Sequence, residues 1–390
     1  MMHKRVLFFF LLLSIFCGSM HAQWKITRDD LKKEGINPSQ FKMAILSSKG
    51  NFAIGYDFLD FEHKKKGEIY ALRIIHFQTN EKFQIKTVIL PFSFLVGIGL
   101  INNEKTAIIV GDYGSKIISV DLKTLQITTI FEYKKNQPGF KTETLVVSWK
   151  NKIYLSGYFY DRRQYWEGDY VVELLHNEKT NQVQFIKKMN LEDVYKKIGM
   201  QPYTFQLISG DMAYFATKKH STEDTLVSMT LYYYKNQQLK EIDQGYGIGG
   251  FAGTDDILFY NVFRKDWETY IISLDGKLKR DISEKRVSYT YPFISENSQT
   301  IVFCTFDLYV QTMDIYYATK QDQYQKRLLK TMPIGAMKLS GDGKTYLHMG
   351  PEYMEIDTFE NQEKIKQKEL KKIQEAEKEQ FLEEHEDEEK

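Results

Sequence analysis

MKLSGDGKTYLHM, Met337 to Met349, reads as a short apolar strand, a tight polar turn and a second strand of alternating aromatic and aliphatic residues. The same unit appears at AILSSKGNFAIGY (Ala44–Tyr56), GLINNEKTAIIVG (Gly99–Gly111) and VVSWKNKIYLSGY (Val146–Tyr158). It returns at QLISGDMAYFATK (Gln206–Lys218), FAGTDDILFYNVF (Phe251–Phe263) and FISENSQTIVFCTF (Phe293–Phe306). Successive copies stand roughly 42 to 60 residues apart, a spacing that fits the blades of a β-propeller.

Each hairpin is followed by a third strand, from Glu68–Ile74 in the first copy to Tyr353–Phe359 in the last. Six copies add a fourth, such as Phe83–Leu90 and Gln126–Tyr133. Tyr and Phe occur 26 times each against 7 Pro, a composition that favours strands. The expected fold is all-β: a single β-propeller over residues 23–359 with seven four-stranded blades, then a C-terminal charged α-helix and acidic tail over 360–390. The last copy lacks an outer strand. Trp24–Arg28 has no hairpin of its own and is expected to supply that strand, closing the ring and protecting its open edges. Asp29–Gly35 is expected to form a helical turn. Asn190–Gly199 is expected to form a short helix between the third and fourth blades, with Gly199 as its stop.

The Ser340-Gly-Asp-Gly-Lys344 turn resembles the S-x-D-G-K hairpin of TolB-type and other WD-like periplasmic β-propellers, and Ser209-Gly-Asp211 is a degraded copy. The resemblance implies a repeat propeller across about 330 residues and an envelope-side location. Gly and Asp in such turns serve backbone geometry first.

Lys4 and Arg5, the apolar run Val6–Phe16 and the small-residue signal Ser19-Met-His-Ala22 have the order of a secretory signal peptide, residues 1–22. An apolar core of about 11 residues is too short to span a bilayer. The expected product is exported, periplasmic or extracellular, and has no membrane span after signal cleavage. Cys17 would leave with the signal, so Cys304 would stand without a disulfide partner and reads as a small buried residue within a strand. The chain carries a net charge of +1 and no basic stripe, which argues against nucleic acid as a partner. Glu360–Lys390 holds 12 acidic and 7 basic residues without Gly or Pro, the pattern of an exposed helix fraying into an acidic tail at Glu383–Glu389.

In a propeller, the loops between second and third strands share one face with the connections between blades. Four of these loops place an Asp just after the second strand: Asp57, Asp112, Asp161 and Asp307. Tyr113, Tyr160, Arg162, Trp166, Arg264 and Trp267 accompany them. Aromatic and Arg side chains gathered on one face suit a binding surface. The inner strands begin with one acid, Glu143, no His pair has metal-ligand spacing and there is no G-x-S-x-G elbow. No catalytic residue, metal or cofactor is therefore assigned. Gly245–Gly250 leads into a strand and not a helix, so it reads as an inter-blade connection and not a phosphate loop. The expected function is that of a monomeric, exported, non-enzymatic propeller that binds a protein, peptide or envelope component through its loop face. The alternative is a carbohydrate- or lactone-active hydrolase or lyase with a site at the channel mouth, using a carboxylate pair such as Asp57 with Asp112.

Overall fold

Six antiparallel sheets of four strands form in chain order as up-and-down meanders, and a seventh joins the last three strands to the first. The computed structural model describes residues 24–59, 69–77, 83–134, 139–160, 166–177, 180, 182–220 and 227–386, without the side chains of residues 113, 139, 143–146, 160, 166, 220 and 376–386. The expected signal peptide, residues 1–22, lies outside the described residues.

The innermost strands of blades one to seven are Lys42–Leu46, Leu95–Ile101, Gly139–Trp149, Thr204–Ser209, Gly247–Gly253, Thr290–Ile294 and Ala336–Leu339. Each touches the inner strand before and after it, and the seventh touches the first, so the ring is closed. In blades one to six the inner strand slips register against its neighbour. Such bulges bend a strand and tighten its twist, as a narrow central channel requires. Blade five begins at Gly247, so the glycine-rich stretch is largely the inner strand itself rather than a connection ahead of it.

Alternation on each strand fills two cores at once. In blade one, Ile54, Leu72 and Ile74 face blade two, while Ala53 and Ile75 face blade seven. Seven such clusters lie between neighbouring blades, one for each junction. A strand buried on both sides reads as a nearly continuous apolar run, which is why Thr-Ala-Ile-Ile-Val-Gly (Thr106–Gly111) carries no polar residue after its first.

The ring closes with Trp24–Thr27, which pairs antiparallel with Tyr353–Thr358 as the outer strand of blade seven. Helix α1 (Arg28–Lys33) follows at once. Thr27 caps it: its hydroxyl accepts from Asp30 N–H at 3.2 Å, and the Asp30 carboxylate accepts from Thr27 N–H at 3.1 Å. Ile26, Leu31, Ile36 and Phe41 then pack between blades seven and one.

Helix α2 (Leu191–Ile198) buries Leu191 and Val194 between blades three and four, capped by Asn190 and stopped by left-handed Gly199. Helix α3 (Phe359–Glu386) docks through its first turns. Phe359 stacks on Tyr317 at 5.2 Å and lies tilted against Tyr346 at 5.4 Å between ring centroids, and the Asp357 carboxylate accepts from Asn361 Nδ2 and Gln362 Nε2. Farther along, Leu370 and Ile373 are exposed. The helix runs to Glu386, past Glu383 where the acidic tail was expected to begin.

Candidate functional site

The loop face repeats one packing device. Gly55, Gly111 and Gly157 sit near the loop-face ends of the second strands of blades one to three, under the buried rings of Phe41, Phe92 and Phe140. A Cβ at Gly111 would stand 2.3 Å from the Phe92 ring, and one at Gly55 2.4 Å from Phe41. Glycine is needed there for close approach, and each ring walls the entry to its blade.

The expected site residues separate on this face. Asp57 is 2% exposed and is gripped by Arg73, itself 5% exposed. Arg73 also donates to Thr87 Oγ1 and to the Gly35 carbonyl, tying blade one to the loop after α1. Asp57 thus has little surface to offer a ligand. Asp112 holds the next connection: one carboxylate oxygen accepts from Ser93 N–H and Oγ, both at 2.7 Å, and from Phe94 N–H at 3.3 Å. Asp307 caps its own turn by accepting from Tyr309 N–H and Val310 N–H. Arg264 lies between two carboxylates, Asp243 of blade four and Glu268 of blade five, whose other contacts include the hydroxyls of Tyr260 and Tyr270. Burial, aided by Glu268, raises the Tyr270 hydroxyl to about 12, so it stays a hydrogen donor. Trp267 packs on Phe263 at 5.3 Å and lies over Gly249, which explains a glycine on that inner strand. Tyr160 and Trp166 are backbone partners in blade three. Their side chains and that of Tyr113, together with Asp161 and Arg162, lie outside the described residues.

The same face carries a set of apolar groups that the sequence reading passed over. Phe94, Tyr203, Tyr246, Tyr291, Leu308, Tyr309 and Val310 are all exposed, and Tyr309 is wholly so. All stand on blade connections, inner-strand starts or second-to-third-strand loops. Tyr291 has a backbone φ of 48°, unusual for an aromatic, and leans edge-on against Phe306 at 5.5 Å. The remaining large exposed apolar residues among those described lie on third or fourth strands of the blades or on α3. The available signal was Leu-Tyr-Val at Leu308–Val310, an apolar tip where a turn is normally polar.

The opposite face is built from the tight turns between first and second strands, and these are stitched into a belt. Asp342 N–H donates to Ser48 O at 2.8 Å, and Ser48 N–H to Glu104 Oε1 at 2.5 Å. Asn103 N–H donates to Asn151 Oδ1 at 2.9 Å, and Lys150 reaches past blade four to Asp255 at 2.5 Å. Thr254 and Ser298 share a hydroxyl hydrogen bond at 2.7 Å, and Asn297 Nδ2 donates to Asp342 O at 2.9 Å. Blade four joins through Gln206, which accepts from Gly253 N–H.

Within the belt the central channel opens as a cavity of about 720 Å³, lined by every blade but the fifth. Its walls include Leu46, Ile98, Phe205, Phe293 and Leu339, with Glu104 and Glu296 at the rim. Glu296 is exposed, yet packing around its carboxyl, then Glu104 beside it, raise its pKa, against a smaller downward pull from Lys150. Lys338 projects from the wall. Burial alone lowers its pKa, and its ammonium lies 5.9 Å from the Phe293 ring centroid. The sequence reading looked for acids on the inner strands, and Lys338 is a cation.

Elsewhere, Cys304 is buried beside Thr290, and burial pushes its thiol up to about 11. His348 is fully buried with Nε2 at 3.1 Å from the Pro333 carbonyl, and burial lowers its pKa. Among the described residues no group of three His, Cys, Asp or Glu side chains is placed to hold a metal ion. Nor is any helix there long and apolar enough to cross a membrane.

No family model matches the chain, and no curated protein matches it. Among solved structures it is similar to the β-propeller domain of the Trilobed protease from Pyrococcus furiosus, with 11% identity over 82% of this chain and 98% of that one and a TM-score of 0.48. It is also similar to the Pyrococcus horikoshii acylaminoacyl peptidase, with 12% identity, 82% and 52% coverage and a TM-score of 0.47. A third likeness is to TolB from Acinetobacter baumannii, with 13% identity, 72% and 64% coverage and a TM-score of 0.36. The chain spans about half the length of the acylaminoacyl peptidase.

Proposed function

We propose that this chain is an exported, non-enzymatic β-propeller that binds a protein or peptide partner on its loop face. The observation that carries the reading is the exposed apolar series Tyr203, Tyr246, Tyr291 and Leu308–Val310 on blades four to six. Exposed aromatics on a rigid scaffold bury large area with little loss of rotamer freedom, the composition of binding hot spots. Tyr113, Tyr160, Arg162 and Trp166 would extend the surface toward blades two and three. Export rests on the order of Lys4, Arg5 and the apolar Val6–Phe16. The carbohydrate- or lactone-active alternative draws less support, because Asp57 is engaged by Arg73 in its own blade and Asp112 by Ser93 of the connection leading into its blade.

The test is selection of peptides from a random display library on the wild-type protein, followed by affinity measurement on variants. Tyr203→Ser, Tyr246→Ser and Tyr309→Ser combined should weaken the selected peptides by about tenfold or more. A control with Ile89→Ser, Ile186→Ser and Leu328→Ser removes exposed apolar groups from outer strands and should bind as wild type. Equal loss in both variants, or none in the first, removes the loop face from the proposal.

A further inference from the structure

We infer that the cavity on the turn face is a second site, taking a small monocarboxylate with an apolar body. Its carboxylate would pair with Lys338 and its body would rest against Phe293, Phe205 and Leu339. Among the described residues the Lys338 ammonium has neither a hydrogen bond nor an ion pair; its one close neighbour of note is the Phe293 ring. By contrast, Lys150 on the same face holds Asp255 in the belt. A partly buried ammonium without a counter-ion is unfavourable, and a ligand carboxylate would complete it with a charge-assisted hydrogen bond.

The cavity, at about 720 Å³, falls within the range of small-molecule sites. Phe205, Phe293, Ile98 and Leu339 supply an apolar part of its wall, which suits an apolar body. Charge at the rim then narrows the ligand. Among the described lining residues Glu104, Glu296 and Lys150 stand at the rim, so a second negative charge, as on a phosphate ester or a dicarboxylate, would meet two carboxylates that Lys150 offsets only in part. The belt of hydrogen bonds holds these turns in place, so the site is formed before any ligand arrives. It lies on the face opposite the peptide surface, and the two proposals stand separately.

The experiment is calorimetric titration of the full chain with three probes sharing one body: 4-phenylbutyrate, 4-phenylbutan-1-ol and 4-phenylbutylamine. The carboxylate should bind at least about tenfold more tightly than the other two. Lys338→Met should lower its affinity about tenfold or more, and Lys338→Arg should retain most of it. A thermal melt confirms that both variants fold. The combined Tyr203→Ser, Tyr246→Ser and Tyr309→Ser variant should bind 4-phenylbutyrate as wild type does, whatever happens to peptides. The inference is overturned if the alcohol or the amine binds as tightly as the carboxylate. It is equally overturned if folded Lys338→Met binds like wild type, or if the carboxylate shows no binding at millimolar concentration.

Discussion

Arg73 closes on Asp57 with two hydrogen bonds, Nε to Oδ1 at 2.7 Å and a terminal nitrogen to Oδ2 at 3.1 Å, inside blade one. The pair joins the second strand to the third, and Arg73 extends the link to Gly35 beyond α1. Removing one partner leaves the other charge buried alone. Asp57→Ala should therefore destabilise the fold by about 3–5 kcal/mol, read from denaturant unfolding. Asp57→Leu with Arg73→Met replaces the pair by apolar groups and should recover most of that loss. A double variant no better than the single would show that the charge pair contributes more than its burial removes.

Gly111 and Phe92 test the packing device shared by the first three blades. With a Cβ 2.3 Å from the ring, Gly111→Ala forces Phe92 or the strand to move. The expected loss is about 1–3 kcal/mol, as for other overpacked cores. Shrinking the ring should relieve the clash, so Phe92→Leu should cost less in the Gly111→Ala background than in wild type. A double-mutant cycle measures that coupling, and additive losses would place the strain elsewhere.

Closure of the ring rests on a four-residue strand, with Ile26 1% exposed at its centre. Ile26→Ala removes a side chain from the core between blades seven and one, and unfolding should be easier by about 2–5 kcal/mol. Deleting residues 24–27 goes further and leaves Tyr353–Thr358 as an open edge. Exposed edges invite pairing between chains. Size-exclusion chromatography should then show higher oligomers, and a clean monomer with an unchanged melt would refute the closing role.

The hairpins were legible because each combines a period-two strand with turn residues, and both signals are local. Trp24–Thr27 was legible for a global reason: a closed ring has to find an outer strand for Tyr353–Thr358. Helix α2 announced itself through Asn190 and Gly199. The pairing of Asp57 was not legible, because attention to the loop missed Arg73 in the middle of Tyr-Ala-Leu-Arg-Ile-Ile (Tyr70–Ile75). A charge in a strand buried on both sides needs a counter-charge, and that signal was present. The rings over Gly55 and Gly111 come from the connections ahead of the inner strands, distant in sequence from the glycines, so no local pattern reports them. The cavity was hidden for the same reason. Its walls come from six inner strands, and Lys338 in Met-Lys-Leu-Ser looks like any strand lysine until those strands converge.

Cys304 offers a pH signature of burial. Its thiol is raised from 9.0 to about 11, so the fold favours the neutral form. Stability linked to this group is complete below about pH 9 and is lost as pH rises toward about 11. Native protein near pH 8 should react with iodoacetamide far more slowly than unfolded chain. The stability difference between wild type and Cys304→Ala should shift against wild type above about pH 9. Rapid alkylation of the native chain would contradict the burial.

Lys338 should leave the opposite signature. Burial lowers its pKa below 10.5, so the folded state gives up this proton more readily than the unfolded chain does. Between the lowered value and 10.5 the unfolded chain holds more protons, and the contribution of this group makes stability rise with pH. Lys338→Met removes an unpaired charge and keeps an unbranched stem of similar length. Its melting temperature should exceed that of wild type near neutral pH, and the gap should narrow as pH approaches 10.5. Saturating wild type with 4-phenylbutyrate should also narrow the gap at neutral pH, because the ligand supplies the missing counter-charge. A lower melting temperature for Lys338→Met without ligand would mean that the ammonium already has a stabilising partner in the channel.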